Sequence, residues 1–210
     1  MNQNISPLHQ RAETLREQGD FDGALIAYEK EINAKPNSIE PLLGRVLTYK
    51  HLYLLHHDQK YIDLSLLDIN QSLNISKKQD KYKIYFALAE TDMLLKIYSN
   101  AVSNFQKAFN TYPFNDSQKG RYLEHLGEAQ YLNGDRETGL LNLKSGLEKI
   151  RQYRDVTDSF LIHVWETGCL MKLAYFLRDK NYLSEAERII QNDSRLIIRK
   201  RQLEEIRKFK

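Results

Sequence analysis

The sequence predicts an all-α protein built from repeated helix hairpins. Four prolines and nine glycines in 210 residues leave few points that interrupt a helix. A pattern of small and aromatic residues recurs along the chain, which is typical of a repeat architecture. Hydrophobic residues make up 41% and charged residues 28% of the sequence, the balance of a folded chain and not of a disordered one.

The recurring pattern has a fixed spacing. Ala24 precedes Tyr28 by four residues and Pro36 by twelve, and residues 97–113 repeat this arrangement. A third copy carries Gly139 at the alanine position, and the copies fit a unit of about 38 residues with one further copy between the first two. Proline has no amide hydrogen and disfavours a helix in the residue before it, so each proline predicts the end of a helix.

Small residues recur where two helices would cross. Antiparallel helices approach closely only where a small side chain faces the partner helix. The residues with this spacing are Ala12, Ala24, Ala89, Ala101, Ala108, Gly127, Gly139 and Gly146. Each unit is therefore predicted to be a hairpin, in which a helix A is followed by a turn and a helix B.

Three of the units carry a fuller motif. It places bulky and small residues on helix A and small and aromatic residues on helix B, and in the first and fourth units it places Gly-Asp in the turn. The residues that carry it are Leu8, Ala12, Gly19, Asp20, Phe21, Tyr28 and Pro36 in the first unit, Tyr85, Leu88, Ala89, Phe105, Ala108 and Pro113 in the third, and Leu123, Leu126, Gly127, Gly134, Asp135 and Gly146 in the fourth. These residues resemble tetratricopeptide repeats.

The resemblance implies a right-handed solenoid of about five antiparallel hairpins, forming a single domain over residues 1–210. The predicted repeats are 5–38, 39–77, 82–115, 120–153 and 156–190. In the second repeat the step from helix A to helix B is longer than in the first, which predicts an extended helix A or a longer loop. The fifth repeat is degenerate, with Ala174 and Ala186 at its two small positions.

The last segment, residues 194–210, is predicted to be a capping helix, because a stack of repeats needs a terminal helix over its last apolar face. Its apolar residues at near-helical spacing are Leu196, Leu203, Ile206 and Phe209. The segment also carries seven basic residues against two acidic ones, which would attract RNA or an anionic membrane surface. A solvated helix face is the favoured interpretation, because no aromatic-rich binding motif accompanies the charge.

The sequence predicts a non-enzymatic protein with no catalytic, cofactor-binding or metal-binding residues. It contains no Gly-rich phosphate loop, no nucleophile elbow, no His-Glu-x-x-His pair and no cysteine cluster. The densest group of candidate ligands is His56-His57-Asp58, but adjacent side chains on a helix diverge by about 100° and cannot converge on one metal ion. His163, beside Trp165 on an apolar helix, is interpreted as a packed core or groove residue and not as a base.

A cytoplasmic location is expected, with no transmembrane segment. The lone Cys169 excludes a disulfide within the chain. The N-terminal residues lack the apolar core of a signal peptide, and no eighteen apolar residues run together.

The predicted binding surface is the concave face of the solenoid, which the A helices line. The resemblance places the exposed helix-A positions in this groove. The predicted groove residues are Tyr49, Phe86, Glu90, Met93, Glu124, Glu128, Tyr131 and Tyr175, with His9, Glu13, Arg45 and Met171 at the equivalent places of the units that align less well. Rings beside carboxylates predict a protein or peptide partner with apolar anchors flanked by Lys or Arg. The alternative for each residue is packing against the next repeat.

Three functions stay open at this point. The first is a scaffold or adaptor that binds a peptide or partner helix in the groove. The second is RNA or anionic-membrane binding through the basic C-terminal helix, with nucleic acid the less favoured partner. The third is self-assembly into a homo-oligomer, since a solenoid with an exposed apolar end can stack end to end.

Overall fold

A computed structural model describes residues 6–208, and these residues form α-helices and two single-turn 3-10 helices, with no strand among them. The α-helices are α1 (Pro7–Glu17), α2 (Phe21–Ala34), α3 (Glu40–His56), α4 (Lys60–Ile75), α5 (Lys81–Leu94), α6 (Tyr98–Thr111), α7 (Ser117–Leu132), α8 (Arg136–Gln152), α9 (Ser159–Leu177), α10 (Lys180–Asn192) and α11 (Ile197–Lys208). The 3-10 turns are Lys78–Asp80 and Arg154–Val156. The predicted all-α fold of antiparallel hairpins with a C-terminal capping helix is confirmed.

The Gly-Asp pairs turn the chain from helix A to helix B. Gly19 and Gly134 take positive φ angles of 83° and 102°, which an L-residue with a side chain adopts at a cost. Asp20 and Asp135 follow them, and each carboxylate accepts a hydrogen bond from an amide in the first turn of the next helix. At the corresponding turn between α9 and α10, Arg178 takes the left-handed conformation, with φ at 56°.

The chain divides into two compact units, one ending at Ile97 and the other beginning at Tyr98. We call them unit 1 and unit 2. The boundary lies between α5 and α6, inside the predicted third repeat. The single domain over residues 1–210 stays a prediction, and each unit is described by itself.

Unit 1 contains the hairpins α1–α2 and α3–α4, with α5 packed against α3 and α4. At the first crossing, the buried Ala12 and Ala24 lie beside the ring of Tyr28, which is also fully buried. Helix α3 has 17 residues against 11 in α1, which confirms that an extended helix A accounts for the longer second repeat.

Unit 2 is built around the hairpin α7–α8, where glycines bring two backbones together. A Cβ atom on Gly127 would lie 2.6 Å from the carbonyl oxygen of Gly139, and one on Gly146 would lie 2.8 Å from the amide nitrogen of Glu124. Helix α6 packs on α7, helix α8 packs on α9, and α9 pairs with α10. The glycines predicted at helix crossings therefore lie at backbone-to-backbone contacts.

Helix α9 is the core helix of unit 2. Its Cys169, Leu170 and Leu173 are fully buried and belong to a cluster shared with α8, α10 and α11. By length and composition alone, α9 is also long and apolar enough to cross a membrane. The sequence had not been expected to contain such a helix. Half of that window is buried inside the protein, as in the core helix of a folded domain.

Helix α11 closes unit 2 in the predicted capping role. Leu196 and Leu203 are buried, and Ile206 packs against the same cluster from α9 and α10. The helix is described as far as Lys208. The predicted cap residues 209 and 210, and residue 5 of the first predicted repeat, lie outside the described residues.

Candidate functional site

The predicted groove residues of unit 1 are largely enclosed by their own unit. The rings of Tyr49 and Phe86 are buried, and Tyr49 stacks on Tyr61 with 6.3 Å between ring centroids. Glu90 Oε1 accepts a bond from Nζ of Lys50 on α3 at 2.5 Å. Met93 is half-buried. In unit 1 these helix-A positions mainly join neighbouring helices, which was the alternative interpretation for each of them.

In unit 2, two predicted groove carboxylates bind one lysine of their own chain. Lys172 Nζ on α9 lies 2.5 Å from an oxygen of Glu124 and 2.5 Å from an oxygen of Glu128, both on α7. Burial raises the pKa of Glu124, which Lys172 opposes. Burial alone would lower the pKa of Lys172, but the two carboxylates outweigh it and raise that pKa. The three side chains form a closed network that ties α7 to α9.

This pairing weakens the argument for a partner with Lys or Arg flanks. Glu90, Glu124 and Glu128 already have an ammonium group of this chain as their counter-ion. A partner cation would have to displace an ion pair that is partly buried, at the cost of leaving a lysine unpaired.

Glu124, His125 and Glu128 also offer ligand atoms within 4.8 Å of one another. The ammonium group of Lys172 lies against both carboxylates, so the charge that a cation would neutralise is already neutralised. His56-His57-Asp58, the group rejected from the sequence, lies at the end of α3, where both histidines are exposed.

The remaining groove residues of unit 2 form an aromatic platform, which comprises Tyr131, Phe176 and Tyr175. Tyr131 on α7 stacks on Phe176 of α9, with centroids 4.0 Å apart and planes at 21°. Tyr175 meets the edge of Phe176 at 5.7 Å and 64°. The guanidinium groups of Arg136 and Arg178 lie over the Tyr131 and Tyr175 rings, at 5.7 and 5.5 Å from the centroids.

Phe176 was not among the predicted groove residues. It follows Tyr175 in the sequence. Two adjacent aromatic residues at the end of a helix A were the signal from which it could have been predicted. Its stacking on Tyr131 depends on how α7 and α9 pack, which no local spacing records.

Tyr175 also forms one wall of a pocket between α9, α10 and α11, which we call the cap pocket. The pocket encloses about 280 Å³. The residues that line it are Ala174, Tyr175, Arg178, Asp179, Lys180, Leu183 and Ile206. Alkyl side chains and a ring therefore form most of the surface, with charged residues where α9 turns into α10.

Two groups of unit 2 that could have served catalysis have structural roles. The thiol of Cys169 is buried and lies 3.3 Å from the carbonyl oxygen of Leu143, and burial raises the pKa of this thiol, opposite to what a nucleophile needs. Nδ1 of His163 lies 2.8 Å from Asp193, whose pKa is held low chiefly by its bonds to Arg195. The Cys169 contact joins α9 to α8, and the His163 contact joins α9 to the connection between α10 and α11.

Several basic residues of the C-terminal segment bind their own chain. Arg195 pairs with Asp193 at 2.7 Å and Arg207 with Glu187 at 2.9 Å. Nε of Arg199 donates to the carbonyl oxygen of Val164 at 3.0 Å. These contacts support a capping role and weaken the case for an RNA-binding or membrane-binding helix.

No protein-family model matches this chain, and no curated protein sequence matches it. Among solved structures, one described as "Crystal structure of MamA protein" is similar to this chain, with a TM-score of 0.48 and 15% sequence identity. The match covers 94% of this chain and 97% of that chain. The antiparallel hairpins, the small residues at their crossings and the Gly-Asp turns give this chain a helical repeat fold that resembles tetratricopeptide repeats.

Proposed function

We propose that the protein is a non-enzymatic interaction module that binds a peptide segment of a partner protein on unit 2. The binding surface comprises the aromatic platform and the adjoining cap pocket. The observation that carries this proposal is the ring of Tyr175, which is 48% exposed although it stands on the core helix of the unit and borders an apolar pocket.

The surface suits a peptide side chain better than a cofactor. Pockets for drug-sized ligands usually enclose about 300–1,000 Å³. The cap pocket, at about 280 Å³, is just below that range and has room for one large side chain. An exposed ring held by a rigid helix buries area on binding while little conformational entropy is lost.

A cytoplasmic location is part of the proposal. Cys169 is a free cysteine that lies buried in the core, which suits a reducing compartment.

Selection from a displayed library of random 12-residue peptides tests this function. We expect wild-type protein to enrich peptides, and Tyr175→Ala to weaken their binding by at least about tenfold, as loss of an aromatic anchor does. Fluorescence anisotropy with the enriched peptides measures the affinity, and circular dichroism checks that the variant remains helical.

The matched control is Phe114→Ala. Phe114 is 52% exposed and lies in the connection before α7, whereas Tyr131 lies near the other end of α7, roughly 20 Å along the helix. This control should keep full affinity. Failure to enrich any peptide, or equal binding by the Tyr175 variant, would contradict the proposal. Sedimentation of the free protein separates peptide binding from self-association, which would bury the same ring in a second copy.

A further inference from the structure

We propose that the cap pocket takes one large apolar side chain of the partner peptide, and that acidic residues flank this side chain in the peptide. This partner chemistry rests on the peptide binding proposed above. It replaces the Lys or Arg flanks expected from the sequence.

The pocket interior selects an apolar group. Ala174, Leu183 and Ile206 present only alkyl carbon, and the ring of Tyr175 forms a further wall. Leu183 is buried, so the base of the pocket is part of the core that α9, α10 and α11 share. A branched alkyl or aromatic side chain would fill this space, whereas a charged one would lose its hydration without a partner inside.

The charged side of the pocket is basic. Arg178 and Lys180 line it and are exposed, and no described carboxylate forms an ion pair with either of them. Asp179 is the acidic lining residue, and its carboxylate accepts a hydrogen bond at 2.8 Å from the amide of Asn181 in the first turn of α10. By contrast, the cations beside the buried Glu124 and Glu166 are paired with them.

A further cation lies at the aromatic platform. Arg136 lies over the ring of Tyr131, and no carboxylate among residues 6–208 pairs with its guanidinium group. Guanidinium groups held over rings keep their edges available for carboxylate oxygens, which they bind through two parallel hydrogen bonds. The positive side chains next to the rings therefore complement a negative partner.

The spacing of residues along an extended peptide determines how far the acidic residues lie from the apolar anchor. Arg178 and Lys180 belong to the lining itself, so the anchor side chain and the bound carboxylates are close together. An extended chain advances by about 3.3–3.6 Å per residue. Carboxylates one or two residues from the anchor can therefore reach these cations.

Three matched pools of synthetic 12-residue peptides test the proposed chemistry. Each pool has Leu, Ile, Met, Phe or Trp at the centre of a Gly-Ser background, and the four flanking residues are Glu in one pool, Lys in another and Gln in the third. We expect wild-type protein to bind the Glu pool at least about tenfold more tightly than the Lys pool in anisotropy measurements at low salt, and the difference to shrink as salt rises.

Charge reversal locates the effect. Arg178→Glu with Lys180→Glu should remove or invert the preference for the Glu pool. Glu at the first position of α10 is compatible with the helix, because acidic residues are favoured there. The matched control is Lys200→Glu with Arg201→Glu, which makes the same charge change on exposed residues of α11 and should leave the preference intact.

The outcomes separate this proposal from the broader function. Preference for the Lys pool, or equal loss of preference with both double variants, would overturn the acidic partner. If none of the three pools binds while the random library yields peptides that depend on Tyr175, the partner chemistry is wrong and peptide binding stands. If neither the pools nor the library binds, both proposals fail.

Discussion

Units 1 and 2 both tie neighbouring A helices together with a lysine–glutamate ion pair, but they bury the pair to different depths. Lys50 joins Glu90 across α3 and α5, where the glutamate side chain is 13% exposed. Lys172 joins Glu124 across α7 and α9, where the glutamate is 3% exposed, and it also binds Glu128. A carboxylate that keeps some water tolerates loss of its cation better than one that is enclosed. We therefore expect the same pair of residue types to contribute modestly to stability in unit 1 and more strongly in unit 2.

We expect the largest change in unfolding free energy when these lysines are replaced. Lys172→Met leaves Glu124 buried without its cation, which costs about 3–5 kcal/mol of unfolding free energy in comparable cases. Lys50→Met should cost about 1 kcal/mol or less, as for partly exposed pairs. Thermal unfolding followed by circular dichroism and calorimetry measures both. Equal losses in the two variants would contradict the comparison.

The pH dependence of Lys172→Met provides an independent check. Burial raises the pKa of Glu124 above the ordinary value of 4.5, so the folded protein takes up a proton on this group more readily than the unfolded chain does. Without Lys172 that pKa should rise further. The stability deficit of the variant should therefore be full at neutral pH and shrink as pH falls toward 4.5. Glu124→Gln combined with Lys172→Met removes both charges and should recover much of the loss.

A smaller effect should distinguish the glycine contacts of the two units. Gly127→Ala puts a methyl group 2.6 Å from the carbonyl oxygen of Gly139, and a backbone atom can yield only if the helices separate. We expect a loss of about 2–3 kcal/mol. Gly44→Ala in unit 1 puts a methyl group 2.4 Å from the buried ring of Tyr28. A side chain can shift without separating two helix backbones, so a loss of about 1–2 kcal/mol is expected.

Chemical denaturation of both glycine variants measures these losses. On helix propensity alone, alanine stabilises a helix by about 1 kcal/mol relative to glycine. A neutral or stabilising Gly127→Ala would therefore show that α7 and α8 do not depend on backbone contact.

The hairpins were predictable because their signals are local. Gly19-Asp20 and Gly134-Asp135 have the turn and capping geometry within a few residues, and the spacing of small residues marks the crossings. The groove was less predictable, because the counter-ions of Glu90 and Glu124 lie 40 and 48 residues away in the sequence. Spacing identified these carboxylates as helix-A residues but could not reveal that lysines of the same chain bind them.

The cap pocket depends on equally distant contacts. Tyr175 was predicted as a groove residue, but the pocket beside it exists because Ile206 of α11 meets α9 and α10. The sequence predicted that α11 would cap the apolar end. It contained no signal for a space left beneath that helix, because such a space depends on the packing of three helices at once.

The smallest effect concerns the titration of His9, which is paired with the buried Glu31 in unit 1. Glu31 is buried and has two cationic partners, Nδ1 of His9 at 3.1 Å and Nζ of Lys35 at 3.6 Å. The nearer of the two, His9, can lose its charge near neutral pH, unlike Lys172 in unit 2. Burial lowers the pKa of His9, but Glu13 and Glu31 outweigh burial and raise that pKa above its ordinary value of 6.5. A raised pKa in the folded state means that the contribution to stability is complete below pH 6.5 and is lost as pH rises through the raised pKa. Unit 1 should therefore lose up to about 1 kcal/mol of unfolding free energy, the size of a single ion pair, as pH rises from 6.5 through the raised pKa of His9. His9→Gln keeps a donor for Glu31 and does not titrate, so its unfolding should be less sensitive to pH in this window. If the unfolding free energy of the variant depends on pH as steeply as that of the wild type, a group other than His9 causes the dependence. The pairing of Glu31 with a histidine would then not distinguish unit 1 from unit 2.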